Sequence, residues 1–183
     1  MRIITGKYKG RVLTTTRDVD VRPAMDRVKG TIFNMLQNRL DLRNASVLDL
    51  FAGTGSLGFE TMSRGAASIV FVDDNRRMLE IIEQNAELLE CLDECDIVHD
   101  DALSYVNHIA GVQFDLIFAD PPYDYEQTSE IPSKVFDRQL LKKSGVLIIE
   151  HAKRLTFDPS ELYTRSVRKE FGNTTLSFFI HPA

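Results

Sequence analysis

The chain has 183 residues, 43% of them hydrophobic and 27% charged, with a formal net charge of −5. That length fits one domain with a small appendage and buries roughly two-thirds of the surface of the unfolded chain. No apolar run approaches the ~20 residues of a membrane span, and the opening MRIITGKYKG has no signal-peptide core, so a cytoplasmic protein without a membrane partner is expected.

The charge is uneven. Residues 1–30 carry eight Lys or Arg against three Asp, which leaves the rest of the chain strongly acidic. A basic arm on an acidic body is either a polyanion contact confined to one region or a solvated basic hairpin. Residues 1–22 are expected to form that arm as a small β-hairpin extension, RIIT, a turn near Gly6 to Gly10, then RVLTTT. Residues 23–183 would form the main domain.

The pattern within 23–183 is regular. Pro23 opens a helix over 23–40 with an apolar stripe of Val28, Ile32, Met35, Leu36 and Leu40. Strands are expected at 46–51, 68–73, 95–100, 114–120 and 145–151, alternating with helices at 56–65, 75–90, 101–110 and 131–141. Residues 166–180 read as a closing hairpin around Gly172-Asn173. Apolar strands alternating with amphipathic helices make an α/β domain with a mostly parallel sheet covered on both faces. Right-handed crossovers then bring the strand C-termini to one edge, where such sheets bind ligands. Asp49, Asp73, Asp100 or Asp101, and Asp120 fall along that edge.

Three motifs sit there. VLDLFAGTGSLG joins a strand to a helix through Gly53, Gly55 and Gly58, a spacing shared by dinucleotide-binding domains. Asp49, ahead of the glycines, suits an amino-acid ammonium better than a pyrophosphate. Phe51 and Ala52 would shape a pocket, and Asp73 is placed for ribose hydroxyls. These are the parts of S-adenosylmethionine. Asp101-Ala102 is either an ordinary helix N-cap or a reader of adenine, with the Asp101 carboxylate accepting and the Ala102 N–H donating. In Asp120-Pro121-Pro122-Tyr123 the prolines stiffen a turn. The Asp120 carboxylate and the Pro121 carbonyl form two acceptors for a nucleobase amine, and Tyr123 a ring to stack on it. Polarising such an amine frees its delocalised lone pair for in-line attack on a methyl group. Cys91 and Cys95 have no second Cys or His pair at ligand spacing, so no metal is expected. His151 is expected on the surface.

Together these residues resemble the class I S-adenosylmethionine-dependent methyltransferase superfamily, with its Rossmann-like seven-stranded sheet. RIITGKYKGRVL, VRPAMDRVKGTIFNML, VLDLFAGTGSLGFETMSRGA and KEFGNTTLSFF are similar to the RsmD family in collinear order over residues 1–180. The resemblance implies methylation of the N2 amine of one guanine in 16S ribosomal RNA, within an assembled or partly assembled small subunit, by a monomer. It implies Asp49, Phe51, Ala52, Gly53, Thr54, Gly55, Asp73, Asp101 and Ala102 at the cofactor, and Asp120 to Tyr123 at the target base. Arg2, Lys7, Lys9, Arg11, Arg22, Arg27 and Lys29 would face the RNA. Ala24 departs from the family pattern where a small hydroxyl residue is expected, and Gly30 where a helix-favouring one is. The rival readings are an adenine-N6 methyltransferase using the same DPPY site, a nicotinamide-dependent dehydrogenase and a non-catalytic RNA-binding module.

Overall fold

The computed structural model describes residues 1–16 and 23–182. Seven strands form one sheet: β1 (Ser46–Leu50), β2 (Ser68–Asp73), β3 (Cys95–His99), β4 (Phe114–Ala119), β5 (Leu141–Ala152), β6 (Thr164–Phe171) and β7 (Thr174–Ile180). Their spatial order is β3-β2-β1-β4-β5-β7-β6. The first five pair in parallel, and β7 inserts antiparallel between β5 and β6. The strand order reverses between β1 and β4, which opens a crevice at their C-terminal ends. The expected architecture is the observed one.

Helices cover both faces because the central strands carry apolar side chains on both. Phe71, Phe118, Ile148 and Phe178 pack beneath α1 (Pro23–Leu36), α2 (Ser56–Ser63), which contributes Phe59, and α3 (Arg76–Leu88). Leu50, Val72, Ile117, Ile149 and Phe179 pack beneath α4 (Ala102–His108) and α5 (Ile131–Asp137). Gly58 permits the closest of these approaches. A Cβ there would lie 2.3 Å from Ile69 Cδ1 and from Phe71 Cε1.

Element ends differ from the sequence expectation where a tertiary contact takes over. β1 stops at Leu50 because Phe51 adopts a φ of 58°, a left-handed conformation rare for a bulky side chain. The helix expected to reach 141 ends at Asp137, because Leu141 pairs with Phe114 and starts β5, with a bulge following.

Among the described residues of the extension, 1–16, there is no two-stranded ladder: one bridge joins Arg2 to Val12, and Ile3, Tyr8 and Leu13 enter the core under α1, α2 and α3. Backbone groups fasten it to that face. The Ile4 and Thr5 N–H groups donate to the Glu60 carboxylate at 2.7 and 3.0 Å. The Lys7 N–H donates to Ser63 O at 2.7 Å, and the Thr14 N–H to Asn85 Oδ1 at 2.7 Å. These bonds pair backbone N–H groups that seating the extension takes out of water.

Candidate active site

Side chains alternate across a strand, so register decides which acids share a face. Asp49 pairs with Phe71 on β2 and Phe118 on β4, and Phe118 pairs with Ile148 on β5. Two residues on from each of those partners stand Asp73, Asp120 and Glu150. The sheet edge therefore presents a row of four carboxylates on one face. Glu150 was not singled out from sequence, although an acid closing the LIIE run was a visible signal of the same kind.

Asp49 is buried, and its Oδ2 accepts from the Gly58 N–H at 3.0 Å. Burial pushes its carboxyl well above the usual range. The charges of Asp120 and Asp73 add to that rise, and the Gly58 N–H opposes it. A cation placed beside it would relieve this cost. Asp73 is held by two backbone donors, the Gly53 N–H on Oδ2 at 2.8 Å and the Asn75 N–H on Oδ1 at 2.9 Å. Its remaining lone pairs are available to hydroxyl donors. Asp101 is the N-cap of α4: Oδ1 accepts from the Ser104 N–H at 2.8 Å. Its Oδ2 accepts from the Tyr125 hydroxyl at 3.1 Å, and the Tyr125 ring meets Phe51 edge-on at 4.8 Å. Tyr125, left unassigned by the sequence, thus ties the DPPY turn to the glycine loop and to α4.

Asp120 is exposed at the wall of a cleft. The protein packed around it pushes its carboxyl up to about 6. Pro121 is buried, and the Pro122 carbonyl accepts from the Tyr125 N–H at 2.9 Å, closing the turn. Tyr123 is 63% exposed, with its hydroxyl anchored on the Thr174 hydroxyl and its ring face open. Glu150, half-buried beside Asp120, is pushed up to about 8 by burial first and by the Asp120 charge second.

These groups line one cleft of about 590 Å³. Phe51, Gly53, Asp73, Asn75, Met78, Asp101 and Ala102 form one end, and Asp120 to Tyr123 with Glu150 form the other. Asp49, Ala52, Thr54 and Gly55 support the loop behind this surface; Ala52 and Thr54 are buried. A second cavity of about 360 Å³ lies across the DPPY turn, with Arg154 in its wall. Among the described residues no cluster of His, Cys, Asp or Glu is arranged to hold a metal. No described helix is long and apolar enough to cross a membrane.

The basic residues do not act alike. Arg2, Lys7, Lys9, Arg11 and Arg27 are exposed, and Arg22 lies outside the described residues. Lys7 and Lys9 sit near the C-terminal end of α2, roughly 12 Å along the helix from the glycine loop. Lys29 corrects the sequence expectation. It is 3% exposed, donates to Arg2 O at 2.8 Å and stands 3.7 Å from the fully buried Glu60, so it is spent inside the fold. Lys29→Met should lower stability by about 3 kcal/mol and leave the salt dependence of RNA binding unchanged. Arg27→Ala should do the reverse, cutting the salt slope by about one. Thermal melts and binding titrations across salt concentrations would separate the two. His151 is also corrected. It is buried, with Nδ1 against Ala152 O and Nε2 against Ser177 Oγ, both at 2.9 Å, so it braces β5 against β7.

Comparison with known proteins places this geometry. A candidate rRNA methyltransferase of Bacillus subtilis, YlbH, is 31% identical over 98% of each chain. Ribosomal RNA small subunit methyltransferase D of Haemophilus influenzae is 30% identical over 94% of this chain and 89% of its own. The solved structure of yhhF from Escherichia coli, a candidate methyltransferase, superposes with a TM-score of 0.87 at 27% identity, covering 100% of this chain and 98% of that one. Residues 1–180 match the family described as conserved hypothetical protein 95. The chain belongs to that family, the RsmD methyltransferases.

Proposed function

We propose that the protein transfers a methyl group from S-adenosylmethionine to the exocyclic N2 amine of a guanine in small-subunit ribosomal RNA. The observation that carries this reading is the single cleft with two chemically distinct ends. Bound in it, the cofactor would supply an electrophilic methyl group on a sulfonium. Asp49 would balance its ammonium from behind the glycine loop, and Asp73 would accept from its ribose hydroxyls. The Ala102 N–H, one of the unpaired donors of a helix start, would meet its adenine. Asp101 would act as the cap that aims that N–H, and its remaining lone pairs would accept from the adenine amine.

At the other end, Asp120 and the Pro121 carbonyl would accept from the two amine hydrogens. They would draw the nitrogen towards tetrahedral geometry and expose its lone pair. Tyr123 would hold the base plane by stacking on its open face. The proton released after transfer would leave through Asp120. The basic extension, residues 1–22, with Arg27 would hold phosphates of an RNA large enough to cover both the cleft and the extension. The names and identities of the relatives support the substrate class, and the DPPY geometry supports the amine.

Mass mapping of ribosomal RNA from a strain lacking the protein tests this directly. One missing methyl on one guanine N2 of the small-subunit RNA is expected, restored by the purified protein and labelled cofactor. Label recovered in adenine would overturn the choice of base, and binding of NAD in place of S-adenosylmethionine would overturn the reaction.

A further inference from the structure

Glu150 and Asp74 are the acids of the cleft that the transfer chemistry above leaves without a task, and of the two Glu150 stands beside Asp120. Its position is specific. Ala119 on β4 pairs with Ile149 on β5, so Asp120 and Glu150 follow as the next neighbours on adjacent strands, about 5 Å apart in backbone. Both continue the face that carries Phe118 and Ile148, and both line the end of the cleft that holds Tyr123. On its other side Glu150 is paired in register with Leu176 of β7, which is buried and apolar. The acids on its side of the sheet edge are Asp120, then Asp49 and Asp73 farther along the row. No described cation makes an ion pair with it.

The edge of guanine next to its N2 amine presents N1–H, a donor, and then O6, an acceptor. If Asp120 holds the amine, the group beside Asp120 faces N1 and O6. A protonated carboxyl matches that pair: its carbonyl accepts from N1–H and its hydroxyl donates to O6. Adenine held by its amine at the same point offers only N1 as an acceptor and then C2–H, so one of the two bonds is lost. We propose that Glu150, in its protonated form, is the residue that reads the N1–H/O6 edge of the target guanine, beside the amine held by Asp120. This rests on the guanine-N2 reading above. Burial and the neighbouring Asp120 charge both favour the protonated form, and the carboxyl retains its proton up to about pH 8. Asp120 rises only to about 6, so above that pH it is ionised while Glu150 still holds its proton.

The sign of the pH dependence follows. Activity should rise as pH passes about 6, where Asp120 ionises. It should fall as pH passes about 8, where Glu150 loses the proton it donates to O6.

The test uses full-length protein, labelled S-adenosylmethionine and small-subunit particles from cells lacking the enzyme. Melting temperature and calorimetric cofactor affinity are measured on every variant to verify folding. Glu150→Ala should lose roughly 10- to 100-fold in kcat/KM. Glu150→Gln, whose amide both accepts and donates, should stay within about threefold of wild type and lose the alkaline limb of the pH profile. Particles rebuilt with 2-aminopurine at the mapped target keep the amine but lack N1–H and O6. Wild type should discriminate against them by roughly 10- to 100-fold, and Glu150→Ala by no more than about threefold.

Unchanged discrimination in Glu150→Ala, or equal loss in the Ala and Gln variants, would overturn the proposal. So would an alkaline limb that persists in Glu150→Gln. Wild-type label in adenine would instead overturn the parent reading before any variant is compared.

Discussion

Asp120→Ala should cut turnover by roughly 10²- to 10³-fold while cofactor and RNA binding stay close to wild type. The reason lies in where the carboxylate acts. The base amine is a weak nucleophile until acceptors on its hydrogens localise the lone pair, and that demand peaks in the transition state. The turn that carries it is set before any ligand arrives. Its backbone leaves β4 through the Asp120 N–H to Leu50 O contact at 3.4 Å, and the next two residues are prolines. A group that contributes mainly to the transition state changes kcat rather than affinity. Single-turnover methylation, with calorimetry for the cofactor and filter binding for the RNA, would measure the three quantities separately. Asp120→Asn should recover part of the loss, because its amide oxygen still accepts from one amine hydrogen. Wild-type turnover in Asp120→Ala would sink the mechanism and favour a non-catalytic RNA-binding role.

The second large effect is structural. Gly6→Ala should destabilise the protein by about 3 kcal/mol, lowering Tm by roughly 6 to 12 °C at this chain length. Gly6 has a φ of 89°, and a Cβ on it would sit 1.8 Å from Ser63 O, a backbone atom that cannot rotate away. The tip of the extension would have to lift from α2. It would lose the Lys7 N–H to Ser63 O bond at 2.7 Å and the Tyr8 N–H to Ser63 Oγ bond at 2.9 Å. Gly10 is the control, with a similar φ of 85° but nothing near its added Cβ, so Gly10→Ala should cost only about 1 kcal/mol. Thermal and denaturant melts of both variants decide. Equal destabilisation would mean that the extension is not seated against Ser63 as described. Cofactor affinity in Gly6→Ala should change little, since the glycine loop lies at the other end of α2.

The middle of the sheet was legible because β1, β2 and β4 are largely buried on both faces and so spell out near-continuous apolar runs such as VLDLF, IVFV and LIFA. The glycine-loop end of the cleft was visible for a related reason: Asp73 ends a strand and Asp101 caps a helix, both local patterns. What escaped depends on pairings between distant segments. Nothing near Glu150 in sequence says that it stands beside Asp120, thirty residues earlier; the β4–β5 register does. Tyr125 looked like a loop residue until Phe51 and Asp101 converged on it. Lys29 looked like one more charge of a basic arm, and only the burial of Glu60 turned it inwards. Charge counting finds a basic region but cannot tell a cation that faces solvent from one that neutralises a buried acid.

The seating of the first residues also bears on the order in which the molecule assembles. The extension's hydrogen bonds to Glu60, Ser63 and Asn85 span 55 to 71 positions in sequence. A nascent chain grows at roughly 5 to 20 residues per second, so Asn85 is made about 4 to 14 seconds after Thr14. During that interval Ile3, Tyr8 and Leu13 have no core to enter, and the basic arm trails as an unpaired polycation. Contacts of such long range form slowly, because the intervening loop must close first. The segment made before its partners is therefore expected to be among the last to reach its native place, and refolding followed at Tyr8 should lag behind refolding followed at the sheet.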